Sequence, residues 1–544
     1  MTHKVRTMKY ASGSKISGLI LAASVLGVGV GEARTVAWYH FDEVSPGTPV
    51  VSSDTFYNAA DPSKLPGKPY SMGNYSANNP ADYLSLGDIA KYMPAATNDA
   101  PDMTYVIDPV GGTTNRNERS LHFTYADDKR YNKPARFGGC VKVDSDSSLS
   151  LPNLTVELLV RPVRIGYLTN NGWTLVSKQT VAEAFTYSIC VNSDGKPYVN
   201  IYNSSGNVMA NAGSANFSGT RSILDNHWHH LALTVSGTTA ELYVDYFCEK
   251  TITLETGGLY YVDDGPLYIG SCRTVYKPGG FIDEVRISDE ALATTSFLRF
   301  FNAAPSFQAG FENSLDAALL HDADSYGVGA ADRAGDNWNY PVYTNDVTKA
   351  RIVGGPDNTI VRKSNDHALY VRGGQVKYPH NTDLRMNEMT VECFMKYEES
   401  ANNGVLLRFN QANSDWFAEP IWGVYFADGA LMMVINPTKS GRNSCSFGSS
   451  FCDGEWHHLG ITFKQFATSL SVDVYDNYRK VSTWWVGNDT GCLDYTKGSC
   501  LGINTSSSYV FTGFIDELRI SQGVLPVEYF MRGVPKPGLS FFIR

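Results

Sequence analysis

Phe281-Ile-Asp-Glu-Val-Arg-Ile-Ser288 recurs as Phe514-Ile-Asp-Glu-Leu-Arg-Ile-Ser521, 233 residues further along the chain. Working outward, Trp228-His-His-Leu231 recurs as Trp456-His-His-Leu459 at an offset of 228. Upstream, Gly138-Gly139 and Thr155-Val-Glu157 recur as Gly373-Gly374 and Thr390-Val-Glu392, both at 235. The order is kept and the offsets drift by a few residues, as insertions in surface loops would make them. The chain therefore carries two copies of one domain, with a period far too long for a solenoid. The expected boundaries are residues 34–303 and 304–544.

Each copy reads as strands. Leu231-Ala-Leu-Thr-Val235, Glu241-Leu-Tyr-Val-Asp-Tyr246 and Leu267-Tyr-Ile269 are short alternating or apolar runs separated by Gly-, Asp- and Ser-rich turns. Leu470-Ser-Val-Asp-Val-Tyr475 and Phe514–Ile520 match them in the second copy. That spacing predicts an all-β sandwich, and 200 to 250 residues are ordinary for one sandwich domain. Two stretches without a match, about 44–120 and 316–366, are rich in Asn, Asp, Gly and Pro and are expected to be long loops.

Composition agrees. A chain of 544 residues with 43% hydrophobic and 18% charged residues is globular, and 12% aromatics suits strands. Lys4, Arg6, Lys9 and Lys15 precede the apolar run Ile16–Val30, and Gly31-Glu-Ala33 supplies the small residues of a cleavage site. Residues 1–33 are read as a signal peptide, so the protein is expected to be exported: secreted, periplasmic or at the cell surface. Cleavage removes four positive charges and one negative, taking the net charge from −10 to −13. With no Lys/Arg-rich block, nucleic acid is excluded as the main partner, and polyanions are disfavoured. No later stretch is apolar for long enough to span a bilayer.

Val36-Ala-Trp-Tyr-His-Phe-Asp-Glu43, Thr155-Val-Glu157, Trp228-His-His-Leu231, Glu241-Leu-Tyr-Val-Asp245, Leu267-Tyr-Ile-Gly270 and Phe281–Ser288 together resemble the laminin-G-like jelly-roll domain. That family belongs to the concanavalin A-like lectin/glucanase superfamily. The resemblance covers most of 34–300 and most of 304–535, apart from the long loops. It implies two tandem two-sheet jelly rolls acting as non-catalytic binding or adhesion modules, often with calcium. The second copy departs at its start, where Phe307-Gln-Ala-Gly-Phe-Glu312 replaces the usual pattern.

Glycoside hydrolysis on such a fold needs two carboxylates about 5 to 9.5 Å apart across the scissile bond. Asp283-Glu284 and Asp516-Glu517 are adjacent, so on a flat strand they diverge, and one of each pair is expected to be buried near Arg286 or Arg519. No catalytic residue is assigned. The pairs His229-His230 and His457-His458 likewise diverge and are read as structural, one towards the core and one away from it. Trp228 and Trp456 are expected in the core.

Calcium takes six to eight oxygens, and Asp42, Asp283 and Asp516 are its candidate ligands. Trp173, Trp416, Trp422, Trp484 and Trp485 are candidate sugar platforms, and Trp484 and Trp485 cannot both face the core of one strand. The nine cysteines contain no C-x-x-C pair, and the spacings of Cys445/Cys452 and Cys492/Cys500 suit short disulfides in an oxidising compartment. The expectation is a binding or adhesion protein for glycans or extracellular protein partners. A glycoside hydrolase and a structural envelope or matrix spacer are the alternatives.

Overall fold

Strands form where the β-branched and aromatic runs were read, because such side chains fit a pleated, half-buried surface. In the computed structural model the described residues are 33–41, 54–71, 95–98, 105–117, 119–123, 127–128, 133–134, 139–165, 173–179, 185–202, 208–210, 217–225, 227–254, 258–259, 261, 265–270, 278–302, 307–309, 342–344, 350–354, 367–372, 375–377, 384–398, 404–410, 420–437, 443–486, 493, 495, 500–503 and 511–531. The expected signal peptide (but for Ala33), Asp42, Trp416 and Cys492 lie outside them.

The first copy pairs two antiparallel sheets. One runs Phe247–Thr253, Thr239–Val244, His229–Ser236, Leu154–Ile165, Pro278–Ser288, Arg119–Phe123 and Ala95–Asn98, with Thr35–Tyr39 also on Pro278–Ser288. The other runs Val208–Ala210, Pro197–Tyr202, Phe185–Val191, Trp173–Gln179, Leu267–Gly270, Gly139–Val143 and Gly67–Ser71. The second copy repeats this order. Arg479–Val486, Leu470–Asp476, Trp456–Gln465, Met389–Tyr397, Thr512–Gln522, His367–Arg372 and Ala350–Gly354 form one sheet, joined by Phe307–Ala309. Asn443–Ser446, Ala430–Ile435, Trp422–Ala427, Gly404–Asn410, Cys500–Ile503, Gln375–Lys377 and Val342–Thr344 form its partner. Each sandwich closes on its own apolar core, one built from Val36 to Ile287 and one from Leu369 to Ile520. The chain is thus all-β, two tandem jelly-roll sandwiches.

The unmatched stretches are not simply loops. Gly67–Ser71 and Ala95–Asn98 extend the sheets of the first copy, and Val342–Thr344 and Ala350–Gly354 take the same places in the second. Pairing with a neighbouring strand satisfies a backbone whose polar side chains hide its strand character.

Tyr105–Asp108 and Thr113–Arg116 join Arg299–Phe301 in a three-stranded sheet that covers the outer face of the first sandwich. Phe301 of that layer packs with Leu525 and Phe530 of the second copy, and Tyr105 stacks on it with centroids 5.0 Å apart. The Cys248 N–H donates to the Ala467 carbonyl at 2.9 Å, and Gln522 Nε2 donates to the Trp228 carbonyl at 2.9 Å. A buried Arg299–Glu388 ion pair completes the contact between the copies.

Candidate functional site

The repeated motifs converge on one buried carboxylate in each copy. Glu157 accepts from Arg286 Nε at 2.6 Å, His230 Nε2 at 2.8 Å and the Leu298 N–H at 2.8 Å. Glu392 accepts from Arg519 Nε at 2.7 Å, His458 Nε2 at 3.1 Å and the Met531 N–H at 2.9 Å. Burial alone would raise the Glu157 pKa, but the Arg286 guanidinium and His230 outweigh it and hold it below the usual carboxylate range. Burial also works against Glu392, where the His458 hydrogen bond and Arg519 prevail in the same way. Each Arg also donates to a carbonyl of the segment it clamps, Ser296 or Tyr529. The cluster is a clasp that ties the last segment of each copy to the outer face of its sheet.

That segment explains why both histidines of each pair are buried, against the expectation of one facing away. His230 lies on the outer face, but Phe297 covers it with centroids 5.2 Å apart, and Tyr246 stacks at 4.6 Å. His229 sits between Asp225, 2.9 Å from Nε2, and Asp245, 3.0 Å from Nδ1. Burial would lower its pKa, yet Asp245 and Asp225 raise it to about 10. His457 repeats the arrangement with Asp476 at 2.8 Å and Asp453 at 2.9 Å. Trp228 is buried as expected, whereas Trp456 is only half-buried.

Adjacent carboxylates do not diverge to opposite environments here. The pairing of Leu154–Ile165 with Pro278–Ser288 shifts register between Glu157 and Leu159, and Glu284 takes φ 53. A bulge of this kind breaks the alternation that a flat strand imposes. Asp283 and Glu284 are both buried. The arginine goes elsewhere: Arg286 reaches Glu157 and Asp108, while Glu284 accepts from Trp38 Nε1 at 2.5 Å and meets His40 Nδ1 at 2.9 Å. Glu517 repeats the bulge with φ 47.

Asp283 and Asp516, the candidate calcium ligands, are both fully buried beside their bulges. Asp283 accepts from Asn117 Nδ2 and from the Glu284 N–H, both at 2.7 Å, and Asp516 accepts from the Glu517 N–H at 2.9 Å. Among the described residues no group of three His, Cys, Asp or Glu is placed to hold a metal ion. Cys445 and Cys452 stand as free, half-buried thiols.

The tryptophans divide. Trp173 and Trp422 are each 1% exposed and belong to the two cores, which removes them as platforms. Trp484 is half-buried against Phe447 and the second core. Trp485 is 58% exposed, on the edge strand Arg479–Val486, with its ring 5.1 Å from Phe466. Opposite it in register is Ser471, and two places along Asp473 faces Thr483. Asp473 accepts from Thr483 Oγ1, and Lys480 Nζ lies 3.4 Å from it. One exposed indole thus stands beside a row of hydrogen-bonding side chains.

A family model described as the concanavalin A-like lectin/glucanases superfamily matches residues 138–296 and 372–528. Among solved structures, the chain is similar to domains LG4-5 of the mouse laminin alpha1 chain. The identity is 14% and the TM-score 0.22, covering 73% of this chain and 89% of that one. It is also similar to domain 4 of AbnA, an extracellular GH43 arabinanase from Geobacillus stearothermophilus in complex with arabinotriose (14%, TM-score 0.27, 41% and 95% covered). The binding domain of Paraclostridial Mosquitocidal Protein 1 aligns at 10% identity and TM-score 0.28, over 88% and 97% of the two chains. No curated protein matches. Among the described residues no helix is long and apolar enough to cross a membrane.

Proposed function

Because the chain belongs to the concanavalin A-like lectin/glucanases superfamily, in two tandem laminin G copies, we propose that it is an exported, non-catalytic glycan-binding protein that works through the Trp485 face of its second sandwich. The observation that carries this reading is the exposure of Trp485. A ring of that size left on a sheet face gives up burial worth about 1.5 to 3 kcal/mol, and sugar C–H faces are the kind of surface that recovers it. Asp473 and Thr483 supply acceptors and a donor for hydroxyls alongside the ring.

A hydrolase is the weaker reading. Glu157, Glu284, Glu392 and Asp283 are buried and engaged by nitrogen donors, so none is free to protonate or attack a glycosidic bond.

A glycan array probed with the purified protein, with calcium and with chelator, tests this. Binding to a defined sugar class that Trp485→Ala weakens about tenfold or more supports the platform. Binding that Trp485→Ala leaves intact removes it. Loss of binding in chelator would place a cation among the ligand contacts.

A further inference from the structure

We infer that the edge strand Arg479–Val486 is a self-association surface, on which a second molecule of this chain pairs antiparallel about a two-fold axis at Thr483. The strand is the last of its sheet, and among the described residues no further strand flanks it. Arg479, Lys480, Val481, Thr483 and Trp485 along it are all exposed. An open edge of this length offers a row of backbone N–H and C=O groups to another strand.

The first sandwich closes the same edge. Its strand Phe247–Thr253 matches at an offset of 232, for Thr251 faces Glu241 as Thr483 faces Asp473. There the Cys248 N–H is taken by the Ala467 carbonyl. Glu249 is held by Arg221 and by Thr220 Oγ1 at 2.6 Å, which brings the segment before Ser222 against the strand. At the places of Glu249 and Thr253 the second sandwich carries Val481 and Trp485. Among the described residues five large apolar side chains are exposed, and these are two of them, at 42% and 58%.

Their spacing sets the register. Val481, Thr483 and Trp485 lie on one face, two residues apart. An antiparallel pair with Thr483 opposite the second molecule's Thr483 puts each Val481 opposite a Trp485, where cross-strand side chains touch. Arg479 and Lys480 then fall at opposite ends and never face their counterparts. A slip of one residue would turn the apolar pair to the other face of the partner strand, so the register is specified. The contact is isologous and closes at two molecules. It also continues an interface already present: the Trp485 ring lies 5.1 Å from Phe466, over which Arg299 of the first sandwich sits at 5.6 Å.

Pairing would set two Trp485 rings about 14 Å apart on one continuous sheet face, four residues along the strand. Only this consequence, a bivalent platform, rests on the glycan-binding reading.

Sedimentation of the purified protein from about 1 to 200 μM should show monomer passing to dimer and nothing larger, since so small a contact is weak. Val481→Lys, a charge on an exposed edge, should raise the midpoint concentration tenfold or more and leave the melting curve unchanged. Thr483→Cys should cross-link into a covalent dimer under mild oxidation, because opposed Cα atoms lie about 4.5 to 5.5 Å apart. Trp485→Cys should not, and the parent, with Cys445 and Cys452, sets the background. A monomer at every concentration, a dimer that Val481→Lys leaves intact, or equal cross-linking at the two positions would overturn the proposal. Dimerisation in a protein that binds no sugar would support this surface and remove the platform. If both hold, Val481→Lys should lower retention on a dense glycan array about tenfold while leaving affinity for a free sugar unchanged.

Discussion

Arg286 Nε lies 2.6 Å from the Glu157 carboxylate across 129 residues of chain, and Arg519 repeats the contact with Glu392 at 2.7 Å across 127. Both pairs are buried, the first completely and the second with Arg519 9% exposed, and both fasten the closing segment of a sandwich. Breaking a buried pair by removing one partner costs about 3 to 5 kcal/mol, because the remaining charge stays desolvated. Glu157→Gln and Glu392→Gln should each lower the unfolding free energy by that order in denaturant titrations. Arg286 keeps Asp108 at 2.6 Å as a second acidic partner, so Glu157→Gln should cost less than the loss of both its acids would. A loss below about 1 kcal/mol in both variants would show that the clasp contributes little.

Stability should depend on pH through His229. Its folded pKa of about 10 exceeds the ordinary 6.5, so its contribution is complete below about 6.5 and is lost as pH rises towards 10. Asp225 works at the other end. Its pKa of about 2 lies below the ordinary 3.8 because His229 outweighs the effect of burial, so its contribution is lost as pH falls from 3.8 towards 2. The melting temperature should therefore be highest between about pH 4 and 6.5 and fall on either side. His229→Gln should flatten the alkaline limb, leaving the slope that the raised pKa of His457 supplies. An unchanged alkaline limb in that variant would contradict the assignment.

The recurrence of Thr-Val-Glu, Trp-His-His and Ile-Asp-Glu-x-Arg was enough to read two sandwiches, but not enough to say what those letters do. Glu157, His230 and Arg286 lie on three different strands, and their meeting depends on sheet order, which no local pattern encodes. One signal was available: ionisable residues that recur inside otherwise apolar strands at the same three places, Glu392, His458 and Arg519, ask for one another. The bulge at Glu284 was hidden for a different reason, since alternation assumes a flat strand and one inserted residue cancels it. The strand Gly67–Ser71 escaped because an edge position tolerates its Gly, Lys and Pro, and Val342-Tyr-Thr344 escaped because a three-residue run is too short to show a period.

The Arg299–Glu388 ion pair should couple the copies. Burial raises the Glu388 pKa and Arg299 only partly offsets it, so the pair is held in place by its surroundings: Arg299 also lies 4.2 Å from the Tyr246 ring. Arg299→Met leaves Glu388 buried without its guanidinium partner and should split the calorimetric transition into two, one per sandwich. Arg299→Met with Glu388→Leu, which removes both charges, should restore much of the single transition. A single transition in Arg299→Met would show that Phe301 and its apolar neighbours couple the copies without the charges.

Cysteine reactivity should follow exposure. Cys445 and Cys452 are thiols at half-buried positions, whereas Cys140, Cys190 and Cys393 are buried. Burial pushes the Cys190 and Cys393 thiols up, and the Cys445 and Cys452 thiols in the same direction, so access rather than acidity separates the two groups. A thiol reagent on the native protein should label Cys445 and Cys452 within minutes and reach the buried three only after denaturant is added. A mass shift of two hydrogens across residues 445–452, with no labelling, would show a bridge instead.

Trp484 and Trp485 are neighbours with opposite duties, and substitution should separate them. Trp484 packs against Phe447 and the second core, so Trp484→Ala opens a cavity and should cost about 2 to 4 kcal/mol. Trp485 is 58% exposed, its ring meeting Phe466 alone among the aromatics of the described residues, and Trp485→Ala should change stability by less than about 0.5 kcal/mol. On a glycan array the order reverses: Trp485→Ala should abolish binding, and Trp484→Ala should retain it at temperatures where the variant stays folded. Equal stability losses in the two variants would mean that Trp485 serves the fold, and the sugar platform would then lose its anchor.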